Sequence, residues 1–123
     1  MAYILDMLRV PVAKPFNHYK FISPEMMTAA LLKELKTKHD FIDENLKEVI
    51  LSNAFGTGGN MARYAILEAG LNERISGFTV DSQCSGGLKA IEIADAILES
   101  GKSDLIIAGG TESKSLAPTK NYH

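Results

Sequence analysis

Short apolar, β-branched runs alternate with longer amphipathic stretches along this chain, and that alternation leaves few ways to fold it. The runs are Tyr3 to Leu8, Leu46 to Ser52, Ile75 to Val80 and Asp104 to Ala108. Stretches with helical periodicity run from Glu25 to Lys38, Asn60 to Ala69 and Ser85 to Ser100. Strands joined through segments of helical length do not close hairpins; they line up in parallel, with the helices as crossovers. The pattern therefore predicts an α/β fold: a single three-layer βαβ domain over residues 1–123 with a mostly parallel sheet. Local signals agree. Ser23 and Pro24 supply an N-cap and a first-turn proline, and Gly70 and Gly101 stop the second and third helices. On the first helix Met27, Leu31 and Leu35 are spaced as a core stripe, with Lys33, Lys36 and Lys38 left to water. The fourth run is apolar enough to be buried on both faces.

Charge and composition exclude several partner classes. A net charge of −2 gives no basis for binding nucleic acid or an acidic membrane surface. No apolar run approaches the roughly 20 residues that span a bilayer, and the first residues lack the pattern of a signal peptide. With a single cysteine there is no internal disulfide, so the expected localisation is a reducing cytoplasm. No cofactor motif stands out. Gly56-Thr57-Gly58-Gly59-Asn60 precedes a helix, but position 61 is methionine where a dinucleotide fingerprint needs glycine, and no Gly-Lys-Ser/Thr follows. Asp40, Asp43 and Glu44 form an acidic cluster without a histidine or cysteine at ligand spacing, so it reads as a solvated turn and no metal site is expected.

The lone cysteine, Cys84, falls where the third strand gives way to the third helix. Unpaired N–H groups and the positive end of the macrodipole at a helix start favour a thiolate, which makes this a useful place for a nucleophile. Gly86 and Gly87 behind it leave room for a substrate to approach the backbone. The competing reading is a small thiol packed under the helix, and spacing alone does not separate the two.

The wider context does. Val80-Asp81-Ser82-Gln83-Cys84-Ser85-Gly86-Gly87-Leu88-Lys89-Ala90 and Ala108-Gly109-Gly110-Thr111-Glu112-Ser113 occur in order with one helix and one strand between them. This resembles the thiolase family, whose segments read approximately V-N-x-x-C-[AGS]-S-G-L-[KQ]-A and A-G-G-x-E-S-M-S. Leu8-Arg9-Val10-Pro11 is similar to the family's V-R-T-P, and Gly58 to Arg63 to its G-Q-N-P-A-R. The resemblance covers nearly the whole chain, but only the N-terminal part of the family. It implies a sheet in the order 3-2-1-4 and Cys84 as an acyl-accepting nucleophile, its backbone N–H giving one oxyanion donor. Arg63, Gly109, Gly110 and Glu112 lie inside family-like motifs as structural residues, and for Arg63 and Glu112 an ion pair or loop anchor is the better reading than direct catalysis. The family's N-[GA]-S motif, G-H-P histidine and second cysteine are not in this sequence: His18, His39 and His123 are each without a following proline. The resemblance also implies a homodimer through the edge strand 75–80, and it makes acyl-CoA binding by this chain doubtful.

Three functions follow from those departures. The first is a thiolase-like protein without thiolase turnover on its own, acting in binding or regulation. The second is an acyl-transfer component, of acetyl-CoA acetyltransferase type, completed by a companion chain. The third is a reactive-thiol sensor built on Cys84. One further pattern bears on them. Lys89, Glu92, Asp95 and Glu99 draw a charged stripe along the third helix, opposite Leu88, Ile91, Ala94 and Leu98. Such a stripe wants water or a polar partner, and it predicts a naturally short chain rather than a piece of a longer one.

Overall fold

The computed structural model describes residues 2–56 and 58–118. Three parallel strands form the sheet: β1 (Glu48–Ser52) lies between β2 (Ser76–Val80) and β3 (Ile106–Gly110). Glu48 is in register with Ser76 on one side and Ile106 on the other. The α/β class and parallel sheet are as the alternation predicts. One strand is not. Tyr3 to Leu8 runs extended over the surface without entering the sheet, and β3 occupies the place beside β1 that the order 3-2-1-4 gives to that segment. Both edges of β1 are already taken by parallel partners, so the run finds no ladder beside it. Tyr3, Ile4, Leu5 and Met7 are consequently 68–79% exposed.

Alternation along β1 divides the core into two layers. Val49 and Leu51 face α1 (Pro24–Lys38) and α3 (Met61–Glu68), joined by Leu32, Ala62, Ala65, Ile66 and Ile75. Ile50 faces the opposite way, against Ala90 and Ala94 of α4 (Gly86–Glu99). The sheet is thus covered on both faces, as parallel strands require. Being an edge strand, β3 is half-buried rather than enclosed on both faces.

Ser23 Oγ caps α1 by accepting from Met26 N at 3.2 Å, and Pro24 follows it. The buried face of α1 is one position off the predicted stripe: Thr28, Ala29 and Leu32 are inside, Leu35 packs against them, and Met27 and Leu31 are only half-buried. Thr28 tolerates burial because its hydroxyl donates to Pro24 O at 2.9 Å. At α3, Asn60 Oδ1 accepts from Arg63 N at 3.2 Å, and Gly70 ends the segment at φ +72°. The acidic loop contains an unpredicted short helix, α2 (Ile42–Asn45). Asp43 Oδ1 accepts from Asn72 N at 2.7 Å, and Arg74 donates to the carbonyls of Asp43 and Glu44, so these residues build a turn.

The third helix departs from its predicted facing. Ala90, Ile93, Ala94 and Ile97 meet the sheet, whereas Leu88 and Ile91 are 71% and 52% exposed. They stand on the outer side with Glu92, Asp95 and Glu99, so apolar and charged residues share one face instead of opposing each other. Close approach to the sheet selects the alanines.

Candidate functional site

All three strands point their carboxyl ends toward one rim, where open α/β sheets characteristically form ligand crevices. An open cleft of about 560 Å³ lies at that rim. Ser52 ends β1 there, Gly110 ends β3, and the chain leaving β2 brings Cys84 to the same place. Phe55, Gly87, Thr111 and Glu112 complete much of the lining.

Cys84 is exposed, within a one-turn 3-10 helix, Gln83–Ser85, that leads directly into α4. The turn is tightly tied. Ser85 N donates to Ser82 O at 3.2 Å and Ser85 Oγ to the same carbonyl at 2.9 Å. On the other side, Gln83 takes φ +51°, the left-handed region that favours glycine, and both its backbone N and its Nε2 donate to Asp81 Oδ1, at 3.0 and 3.3 Å. The thiol is therefore presented on the cleft wall, not packed beneath the helix.

The two glycines behind it differ. Gly86 is buried, and a Cβ there would lie 2.4 Å from Ser52 Oγ, so its missing side chain lets α4 start hard against the end of β1. Gly110 meets the same hydroxyl, with its Cβ position 2.9 Å away. Gly87 faces open space and lines the cleft. Gly109 sits within β3, where a Cβ would make only ordinary contact with Leu51, at 3.9 Å.

Glu112 lines the cleft, but its oxygens are already engaged. Its carboxylate accepts from Ala54 N, from Phe55 N at 3.1 Å and from Asn53 Nδ2 at 3.2 Å. It ties the loop after β1 to the segment after β3. Arg63 lies away from the cleft, its Nη1 donating to Ile75 O at 2.8 Å, which joins α3 to the start of β2. Neither histidine among the described residues lines the cleft: His18 is exposed, and His39 Nε2 bonds Asp6 Oδ2 at 2.7 Å. His123 lies outside the described residues. Asp6 is held well below the usual carboxylate range, chiefly by His39, then by Lys38 at 2.9 Å and by Met7 N. No group of three or more histidine, cysteine, aspartate or glutamate side chains is placed to hold a metal among the described residues.

The site thus joins Cys84, Gly86, Gly87, Gly110 and Glu112 from the sequence reading and leaves Arg63 and Gly109 out. Reading residue types alone missed Ser52, the floor against which both glycines pack, and Gln83, whose conformation no local pattern announces. Ser52 had a findable signal: it is the last residue of the central strand's apolar run.

Comparison with known proteins agrees with this geometry. The family profile described as "Thiolase, N-terminal domain" matches residues 2–123. A Staphylococcus aureus (strain COL) protein provisionally named acetyl-CoA C-acetyltransferase VraB is 38% identical over 119 residues, covering 97% of this chain and 31% of the relative. Its Staphylococcus haemolyticus (strain JCSC1435) namesake matches to the same extent. The crystal structure of the Bacillus anthracis acetyl-CoA acetyltransferase superposes with a TM-score of 0.78 at 30% identity, over 85% of this chain and 27% of that one. The chain spans about a third of the length of these curated relatives, and no helix among its described residues is long and apolar enough to cross a membrane. On the family match, the shared fold and the cysteine-bearing strand-to-helix turn, the chain belongs to the thiolase family, within that family's N-terminal domain.

Proposed function

We propose that this chain carries the acyl-accepting thiol of a thiolase-type reaction and, as 123 residues alone, holds an acyl group without turning it over. The observation that supports this is the composition of the cleft: Cys84 stands exposed on its wall, while the single carboxylate beside it, Glu112, is bonded to backbone amides. In the half-reaction, Cys84 Sγ attacks the carbonyl carbon of an acyl-coenzyme A thioester. A new C–S bond forms, the bond to coenzyme A sulfur breaks, and the thiol proton leaves through solvent to end on the departing coenzyme A. Among the described residues, the only ionisable side chains lining the cleft are Cys84 and Glu112, and the Glu112 carboxylate is engaged by the Ala54 and Phe55 amides. Absence of a positioned base costs roughly a hundred- to ten-thousand-fold. Turnover then requires groups that these 123 residues do not carry, and this chain by itself acts by binding.

Among the described residues β2 pairs only with β1, which leaves its outer edge open, and we propose that two copies of this chain associate through it. Incubating the purified chain with acetyl-coenzyme A and measuring intact mass tests the main reading. One acetyl group per chain, absent in Cys84→Ala, with no steady-state cleavage of acetoacetyl-coenzyme A, is the expected result. Absence of the adduct overturns the acyl-accepting role, and sustained cleavage overturns the lack of turnover.

A further inference from the structure

We infer that Asp81 is the positioning residue for Cys84, acting through Gln83; the inference rests on reading Cys84 as the acyl-accepting group. Gln83 is one of two non-glycine residues with positive φ among the described residues, at +51°. Outside glycine that region is visited chiefly by asparagine and aspartate, whose short side chains bond their own backbone, and glutamine has no such means. The bond is supplied from two residues upstream. Asp81 Oδ1 accepts from the backbone N of Gln83 at 3.0 Å and from its Nε2 at 3.3 Å, pinning both the peptide plane and the side chain.

The downstream side of the turn is independently fixed by the two bonds from Ser85 to Ser82 O. Cys84 lies between these clamps, so the direction of its side chain depends on Gln83 staying left-handed. Without the Asp81 acceptor, Gln83 relaxes to negative φ and rotates the next peptide, carrying Sγ away from the cleft wall. The acceptor matters here, not the charge: asparagine, which the resembling family motif carries at this place, offers the same Oδ1.

The test is the rate of Cys84 alkylation by iodoacetamide in the folded chain, divided by the rate in urea, for each variant. Cys84 is the one cysteine, so the signal is unambiguous. Asp81→Ala is expected to lower this ratio about tenfold, within the range a small misplacement of a reacting group produces. Asp81→Asn is expected to leave it at the wild-type value. In a Gln83→Gly background, where the left-handed conformation is free, adding Asp81→Ala is expected to change nothing. An unchanged or raised ratio in Asp81→Ala, a fall in Asp81→Asn, or a fall that persists in the Gln83→Gly background overturns the proposal. If Asp81→Ala does not fold, the double variant decides: folding and reacting like Gln83→Gly supports the proposal, and failing to fold overturns it. Iodoacetamide needs no acyl donor, so this outcome is separate from acetylation. Missing acetylation with the alkylation pattern intact removes only the functional reading, and acetylation with no Asp81 effect removes only this one.

Discussion

Ser52 shows how much of the cleft rests on single atoms. Its hydroxyl occupies the space where a Cβ on Gly86 or Gly110 would go, so the start of α4 and the end of β3 close on β1 only because both are glycine. Gly86→Ala forces an overlap at 2.4 Å with Ser52 Oγ and 2.7 Å with its Cβ, and the expected cost is about 1–3 kcal/mol, the usual range for overpacking. Gly87→Ala meets nothing within 4 Å, so it is expected to be neutral or to gain about 0.5 kcal/mol from restricting the unfolded chain. Urea midpoints of the two variants check this pair, and Ser52→Gly added to Gly86→Ala recovers most of the loss. A Gly86→Ala variant as stable as the parent would show that α4 does not need this close approach. Glu112→Gln makes a local prediction instead. The carboxylate accepts from Ala54 and Phe55 amides, and bonds to a charged acceptor are the stronger kind, so protection from hydrogen exchange should fall first at those two amides. Loss spread evenly over β1 would mean that Glu112 supports the whole strand rather than its loop.

At the scale of elements, the sequence was most legible where period, cap and stop agreed. The helices begin and end within a residue or two of their signals at Ser23, Gly70 and Gly101 because each signal is a local bond or a local φ that tertiary structure leaves alone. Facing was less legible. On α4 the apolar spacing puts Leu88 and Ile91 on the core side, yet they are exposed and Ala90 and Ala94 are buried, because nearness to the sheet is a property of the partner and not of the helix. The segment Tyr3 to Leu8 has the composition of a strand, but the place beside β1 is already taken, which only the pairing of β1 with both β2 and β3 reveals. Cys84 could be placed from the strand-to-helix boundary, whereas Gln83 could not, since its positive φ comes with an acceptor at Asp81 upstream and the bonds from Ser85 to Ser82 O across the turn. The free edge of β2 carries the dimer prediction. It has no proline, and Ser76 to Val80 offers Phe78, Thr79 and Val80 to pairing. Sedimentation should show a monomer–dimer equilibrium that shifts with concentration; a monomer at every concentration tested would remove the proposed edge pairing.

Across the whole molecule, the N-terminal segment is the part held least by apolar burial and most by charge. Val12, Phe16 and Phe21 are 89%, 69% and 85% exposed, and the apolar side chains of residues 2–22 that do pack, such as Leu8, Val10 and Tyr19, are only half-buried. Phe16 N donates to Ser115 Oγ at 2.6 Å, and the segment's ionic tether is Asp6, which bonds His39 Nε2 at 2.7 Å and Lys38 Nζ at 2.9 Å at the C-terminal end of α1. These partners favour the carboxylate over the acid, and so hold the folded-state value below the unfolded one. The sign of the linkage follows. A depressed carboxylate contributes stability that is present in full above its unfolded value of about 3.9, and loses it as pH falls below that toward the folded-state value. The difference in urea midpoint between the parent chain and Asp6→Asn is therefore expected to shrink steadily as the pH falls below about 4. Asp6→Asn cannot take part in that loss, so its own acid limb is shallower. A gap that stays constant or widens as the pH falls would mean that Asp6 is not the titrating tether, and that the segment is held by the Phe16 bond and its packing alone.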